Sequence, residues 1–118
     1  MPNWCMNELT VSGNAERVGE VLALFQGEEP FQAILPRPEE EEANWYTWNI
    51  SHWGTKWDIS NVEIISDDEY SDIRCLCMRF DTAWSPPEGI FDRLQIDYPD
   101  LDFSLFYRED GVQLAGYL

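Results

Sequence analysis

The hydrophobic period of this chain changes from two residues to about 3.6 at Gly13-Asn14, and that change limits the fold more than any other local feature. In residues 3–12, NWCMNELTVS, the spacing predicts a strand with Cys5, Asn7, Leu9 and Val11 on one face and Trp4, Met6, Glu8 and Thr10 on the other. Beyond the break, Asn14 is a good N-cap, and Ala15, Val18, Val21, Leu22 and Phe25 recur at helical spacing opposite Glu16, Arg17 and Glu20. A helix over 15–26, ended by Gly27, follows.

The remaining chain repeats the alternation. Residues 28–57 carry no clear period; PFQAILPRP holds three prolines, which exclude a continuous helix or a central strand, and the run Glu39 to Glu42 follows. A long aromatic-rich excursion that folds back over the sheet is expected there, with room for one short helical turn. DISNVEIIS (58–66) predicts a second strand, SDDEYSD a charged connector and IRCLCMRFD (73–81) a third strand. In the third, Leu76, Met78 and Phe80 point one way and Cys75, Cys77 and Arg79 the other. Ser85-Pro86-Pro87-Glu88 has the form of a capping box opening a helix over 86–97, with Ile90, Phe91 and Leu94 inward and Pro99 beyond its end. Residues 101–108 alternate as a fourth strand, Glu109-Asp110-Gly111 form a hairpin turn, and 112–118 make a fifth strand.

The order β-α-β-β-α-β plus one strand predicts an α+β, ferredoxin-like antiparallel sheet with two helices on one face. A length of 118 residues fits one such domain, 1–118.

Charge bears on function. Twenty-three Asp and Glu face seven Lys and Arg, for a formal net charge of −16. Seventeen aromatic residues (six Trp, five Tyr, six Phe) separate the chain from disordered acidic sequences. The charge repels DNA, RNA and anionic lipid, so direct nucleic-acid or membrane binding is not expected. MPNWCMNELT has neither the basic nor the apolar region of a signal peptide, and three cysteines without metal-ligand spacing fit a reducing cytoplasm.

No pattern points to catalysis. The one histidine, His52, has only Asp58 close in sequence as an orienting partner. Cys75-x-Cys77 has strand spacing rather than the helix-start setting of a redox pair. Asp67, Asp68, Glu69 and Asp72 lack the glycine turn and terminal Glu of a calcium loop, and the glycines form no phosphate-cradling pattern. Neither cofactor nor metal is expected. Trp45, Tyr46, Trp48, Trp53 and Trp57 form the one dense aromatic run, read as a mini-core or as an aromatic-walled pocket for a small molecule or peptide.

Three segments, MPNWCMNELTVSG, NWYTWNISHWGTKWD and FDTAWSPP, resemble the YubB ferredoxin-like family of plasmids, prophages and phages. The matching positions are Pro2, Asn3, Trp4, Cys5, Asn7 and Gly13; Asn44, Trp45, Tyr46, Trp48 and Trp53 to Asp58; and Thr82 to Pro87. The resemblance implies a ferredoxin-like fold, and motifs rich in Trp, Pro and Gly imply a scaffold rather than a reaction centre. A mobile-element setting suggests an inhibitor that presents rows of carboxylates, in place of DNA phosphates, to a basic host defence nucleoprotein; counter-defence proteins, anti-CRISPR proteins among them, are often of this size and acidity. The candidate rows are Glu39, Glu40, Glu41 and Glu42; Asp67, Asp68, Glu69 and Asp72; and Asp97, Asp100 and Asp102. A homodimer through an open sheet edge, with strand five as the candidate, is the remaining expectation.

Overall fold

The strand read at the start of the chain is the centre of the sheet. In the computed structural model, which describes residues 3–118, β1 (Trp4–Asn14) pairs antiparallel with β3 (Ile73–Ala83) on one side and β4 (Asp102–Glu109) on the other. β2 (Glu63–Tyr70) adds to β3 and β5 (Leu114–Tyr117) to β4, giving the order β2-β3-β1-β4-β5. Pro2, one of the motif positions, lies outside the described residues.

The inner face of the sheet carries Leu9, Val11, Leu76, Met78, Phe80 and Leu105, all buried. Val18, Val21 and Phe25 of α1 (Ala15–Gln26) and Ile90, Phe91 and Leu94 of α4 (Glu88–Asp97) pack against them. Each such side chain contributes about 1.5–3 kcal/mol on burial. α1 begins and ends as its residues dictate: the Asn14 side chain accepts the Arg17 N–H at 3.2 Å, and the Gly27 N–H donates to the Leu24 carbonyl.

The excursion differs from expectation. It is largely helical: α2 (Pro30–Ile34), a 3₁₀ helix (Glu39–Asn44) and α3 (Trp45–His52). Pro30 sits at the first position of α2, where its missing N–H costs nothing, and Pro36 and Pro38 lie beyond the helix end. Phe31, Ile34, Trp48 and Trp53 join the core on the helical side, so no element among the described residues covers the opposite sheet face.

Several boundaries also move. Glu109 ends β4, the turn spans 110–113, and β5 begins at Leu114 rather than 112. β2 begins at Glu63 rather than 58, and Ser66 to Tyr70 of the expected connector are strand; the turn is Ser71-Asp72, with Ser71 at φ 59°. An edge strand exposed at every residue is defined by its backbone pairing and not by burial. Helix α4 starts at Glu88, and the capping box does not form. Pro87 stands at the N-cap, and the Ser85 hydroxyl donates instead to the Gly54 carbonyl at 2.6 Å.

That bond belongs to a tight junction between the end of α3 and the start of α4. The Gly89 N–H donates to the Trp53 carbonyl, and a Cβ at Gly89 would overlap the His52 carbonyl oxygen. Gly54 holds φ 91°, and a Cβ there would lie 2.8 Å from the Glu88 nitrogen. Two glycines thus let the backbones touch and fix segment 53–57 at the end of the sheet where β1 starts.

Candidate partner-binding site

The cations of the molecule are almost all neutralised within it. Arg17 pairs with Glu20 and Asp100, Arg37 with Glu42, Arg74 with Asp67, Arg79 with Glu8, Arg93 with Asp97 and Arg108 with Asp110. Arg74 and Arg17 hold Asp67 and Asp100 below the ordinary carboxylate value by charge-assisted hydrogen bonds. Lys56 is handled differently: its ammonium lies 4.5 Å from the Trp57 ring centroid and 5.4 Å from that of Tyr46.

The expected acidic rows divide between the two ends of the sheet. In the strand register, Asp68 lies opposite Cys75, Cys75 opposite Ser12, and Ser12 opposite Asp102, which sets Asp68 and Asp102 in one row across the uncovered face. Asp72 is in the adjoining turn, where its carbonyl accepts the Ala15 N–H; Asp100 is tied to the first turn of α1, and Asp97 ends α4. Glu69 pairs in register with Arg74. Glu39, Glu40, Glu41 and Glu42 lie on the 3₁₀ helix that packs on α3, at the end where β1 starts. β1 alone separates the two ends by about 30 Å.

The aromatic run is split as well. Trp48 and Trp53 are core residues; their rings meet edge to face at 5.8 Å, and the Trp53 indole donates to the Leu35 carbonyl at 2.8 Å. Trp45, Tyr46 and Trp57 are exposed, and Trp57 meets Trp4 at 6.1 Å between centroids. Trp84, half exposed, follows β3 at φ 72° with its N–H on the Asn3 carbonyl. A cavity of about 180 Å³ is bounded by Trp45, Trp53 and Trp57 together with Glu29, Arg37 and Asp58.

Beyond Trp57 this cavity adjoins a second, of about 220 Å³, lined by Trp4, Asp58, Ile59, Ser60, Asn61 and Asp81. The two share Asp58. Burial pushes the Asp58 carboxyl up, against the opposing effect of three backbone N–H donors, from Phe31, Gln32 and Ile59 at 2.8–3.0 Å. Asp81 is exposed and has no hydrogen bond or ion pair from its side chain among the described residues. Trp4, Ser60, Asn61 and Asp81 carry no sequence pattern that marks a site, apart from the outward position of Trp4 at the start of β1.

His52 stacks on Trp48 at 4.2 Å, and its Nδ1 lies 3.0 Å from the Trp48 carbonyl and 3.1 Å from the Ser51 hydroxyl. Asp58, the partner considered for it, is held by the α2 amides. Burial pushes the Cys5 thiol up to about 11, and Cys5 faces the core, whereas Cys75 and Cys77 lie on the uncovered face. Cys5 therefore does not meet them across the sheet. Among the described residues no three His, Cys, Asp or Glu side chains are grouped to hold a metal ion.

A five-stranded antiparallel sheet in this order, with α1 and α4 crossing one face, defines a ferredoxin-like α+β domain. The model of the family described as the ferredoxin-like domain in Api92-like proteins matches residues 52–118, more than half of the chain, and the chain belongs to that family. The matched part runs from the end of α3 through β5 and includes Trp57, Asp58 and Asp81, while Trp4 is contributed by β1 outside it. No curated protein matches the chain.

Proposed function

We propose that this chain is a non-catalytic binding protein whose acidic surface engages a basic protein or nucleoprotein of the host cytoplasm. In its fuller form, resting on the YubB-like motifs, it is a mobile-element inhibitor that covers the nucleic-acid-binding face of a defence complex, in the manner of an anti-CRISPR DNA mimic. It takes no cofactor or metal and does not itself bind nucleic acid or membrane.

The observation that carries this reading is the disposition of charge. Every arginine is tied to a carboxylate of the chain, and Glu39, Glu40, Glu41, Asp68, Asp72 and Asp102 form no ion pair among the described residues. Carboxylates held on a rigid fold and left uncompensated attract a cationic surface at long range and fix its register at contact. Capture from host lysate at low salt, with the captured complex then challenged by high salt and by duplex DNA, tests it. Release by both is expected, and a complex indifferent to both overturns the reading.

One observation favours self-association as a second reading. β5 is a sheet edge with exposed Leu114 and Tyr117 and no charge within the strand. A doubled mass by light scattering, abolished by Ala115→Pro, supports it, and a monomer at high concentration removes it. The small-molecule reading is less favoured, because the two hollows, about 180 and 220 Å³, each fall below the usual range of ligand pockets, about 300–1,000 Å³.

A further inference from the structure

We infer that the groove between Trp4, Asp58 and Asp81 receives an arginine side chain from the basic partner, with the guanidinium against the Trp4 ring and paired to Asp81. The inference rests on the binding reading above and assigns it an anchor point.

Three independent features of the groove converge on a planar cation. The first is the aromatic wall. Trp4 is 50% exposed although it stands in the sheet's central strand, and its ring is backed by Trp57 at 6.1 Å. Lys56 lies against Trp57 at 4.5 Å, so this aromatic group already accepts one cation from within the chain. The exposed part of Trp4 offers the same negative π-face to a cation from outside.

The second feature is carboxylate placement. Asp81 lines the cavity and forms no ion pair among the described residues, and Asp58, lining it too, adds negative potential with its own oxygens occupied by backbone amides. Such a pairing of one free carboxylate with a ring favours guanidinium over ammonium, because only the planar fork can stack on the indole and donate two parallel N–H bonds to Asp81. The third is size. A cavity of about 220 Å³, lined also by Ser60 and Asn61, admits one side chain and excludes a folded element. Charge complementarity commits the occupant to a basic protein segment: a second copy of a chain with net charge −16 would bring like charge to Asp81.

Tryptophan fluorescence titration with capped hexa-arginine and hexa-lysine peptides tests the assignment, since equal formal charge makes the difference between them report the groove. The wild-type protein is expected to bind hexa-arginine about two- to fivefold more tightly than hexa-lysine. Trp4→Leu and Asp81→Asn, both at exposed positions, should remove that preference. Glu16→Gln, the same charge change at an exposed position in the first turn of α1 and outside the acidic rows, should preserve it. Equal binding of the two peptides by the wild-type protein, or loss of the preference in Glu16→Gln, overturns the groove. If affinity still falls with salt in that case, the basic-partner reading survives without it. Absence of binding to either peptide overturns both, and a rise in mass by light scattering without peptide, lost in Asp81→Asn, assigns the groove to a second copy instead.

Discussion

At the scale of single residues, the fold depends on a few backbone approaches that composition does not reveal. Gly89 is the clearest. Its missing side chain is filled by the His52 carbonyl, so Gly89→Ala must push α3 and α4 apart. The expected cost is about 3 kcal/mol or more, read as a lower urea midpoint. A second prediction concerns Asp67 and Asp100, whose folded pKa values lie below the ordinary 3.8 because of Arg74 and Arg17. A carboxylate with a depressed folded pKa stabilises the fold above its unfolded pKa, and that contribution disappears as pH falls through the folded value. The stability difference between wild type and the double variant Asp67→Asn/Asp100→Asn should therefore be present at neutral pH and vanish under strong acid. A difference that is constant with pH would contradict the pairing. Ser85 shows where residue-level reading misleads: its spacing to Glu88 matches a capping box, but the hydroxyl is held by a carbonyl 31 positions earlier in the chain.

Among the elements, those with a buried face of their own were legible and those without one were not. The central strand, α1 and the inward row of β3 carry the periods of their secondary structure, because the core selects every second or every third to fourth side chain. β2 is exposed throughout and α3 buries only Trp48 and Asn49, so neither leaves a period to read. The same distinction sorts the aromatic run. Trp53→Ala should cost about 3–5 kcal/mol by emptying a site packed by Phe31 and Trp48. Trp45→Ala should cost about 1 kcal/mol or less. Chemical denaturation of the two variants checks both, and comparable losses would show that the run behaves as one cluster. The groove was the least legible part of the site, since it joins Trp4 to residues more than fifty positions away. The pairing of β1 with β3 from Trp4–Ala83 to Met6–Asp81, the contact of Trp4 with Trp57 and the Thr55 hydroxyl on the Ala83 carbonyl bring those segments together.

For the whole molecule, the acidity has two consequences of opposite sign. Like charges crowded onto a folded surface repel one another, so screening should stabilise the fold; the urea midpoint should rise between about 0.05 and about 0.5 M NaCl. The same screening should weaken attachment to a basic partner. A ferredoxin-like core with its helices on one side leaves a sheet face and two carboxylate-bearing ends free for such a partner, and its own arginines are already engaged. The most direct measurement is the association constant for the captured basic partner as a function of salt. Its logarithm should fall steadily with the logarithm of salt concentration over a range in which the fold itself becomes more stable. An association constant that stays level across that range would contradict the basic-partner reading.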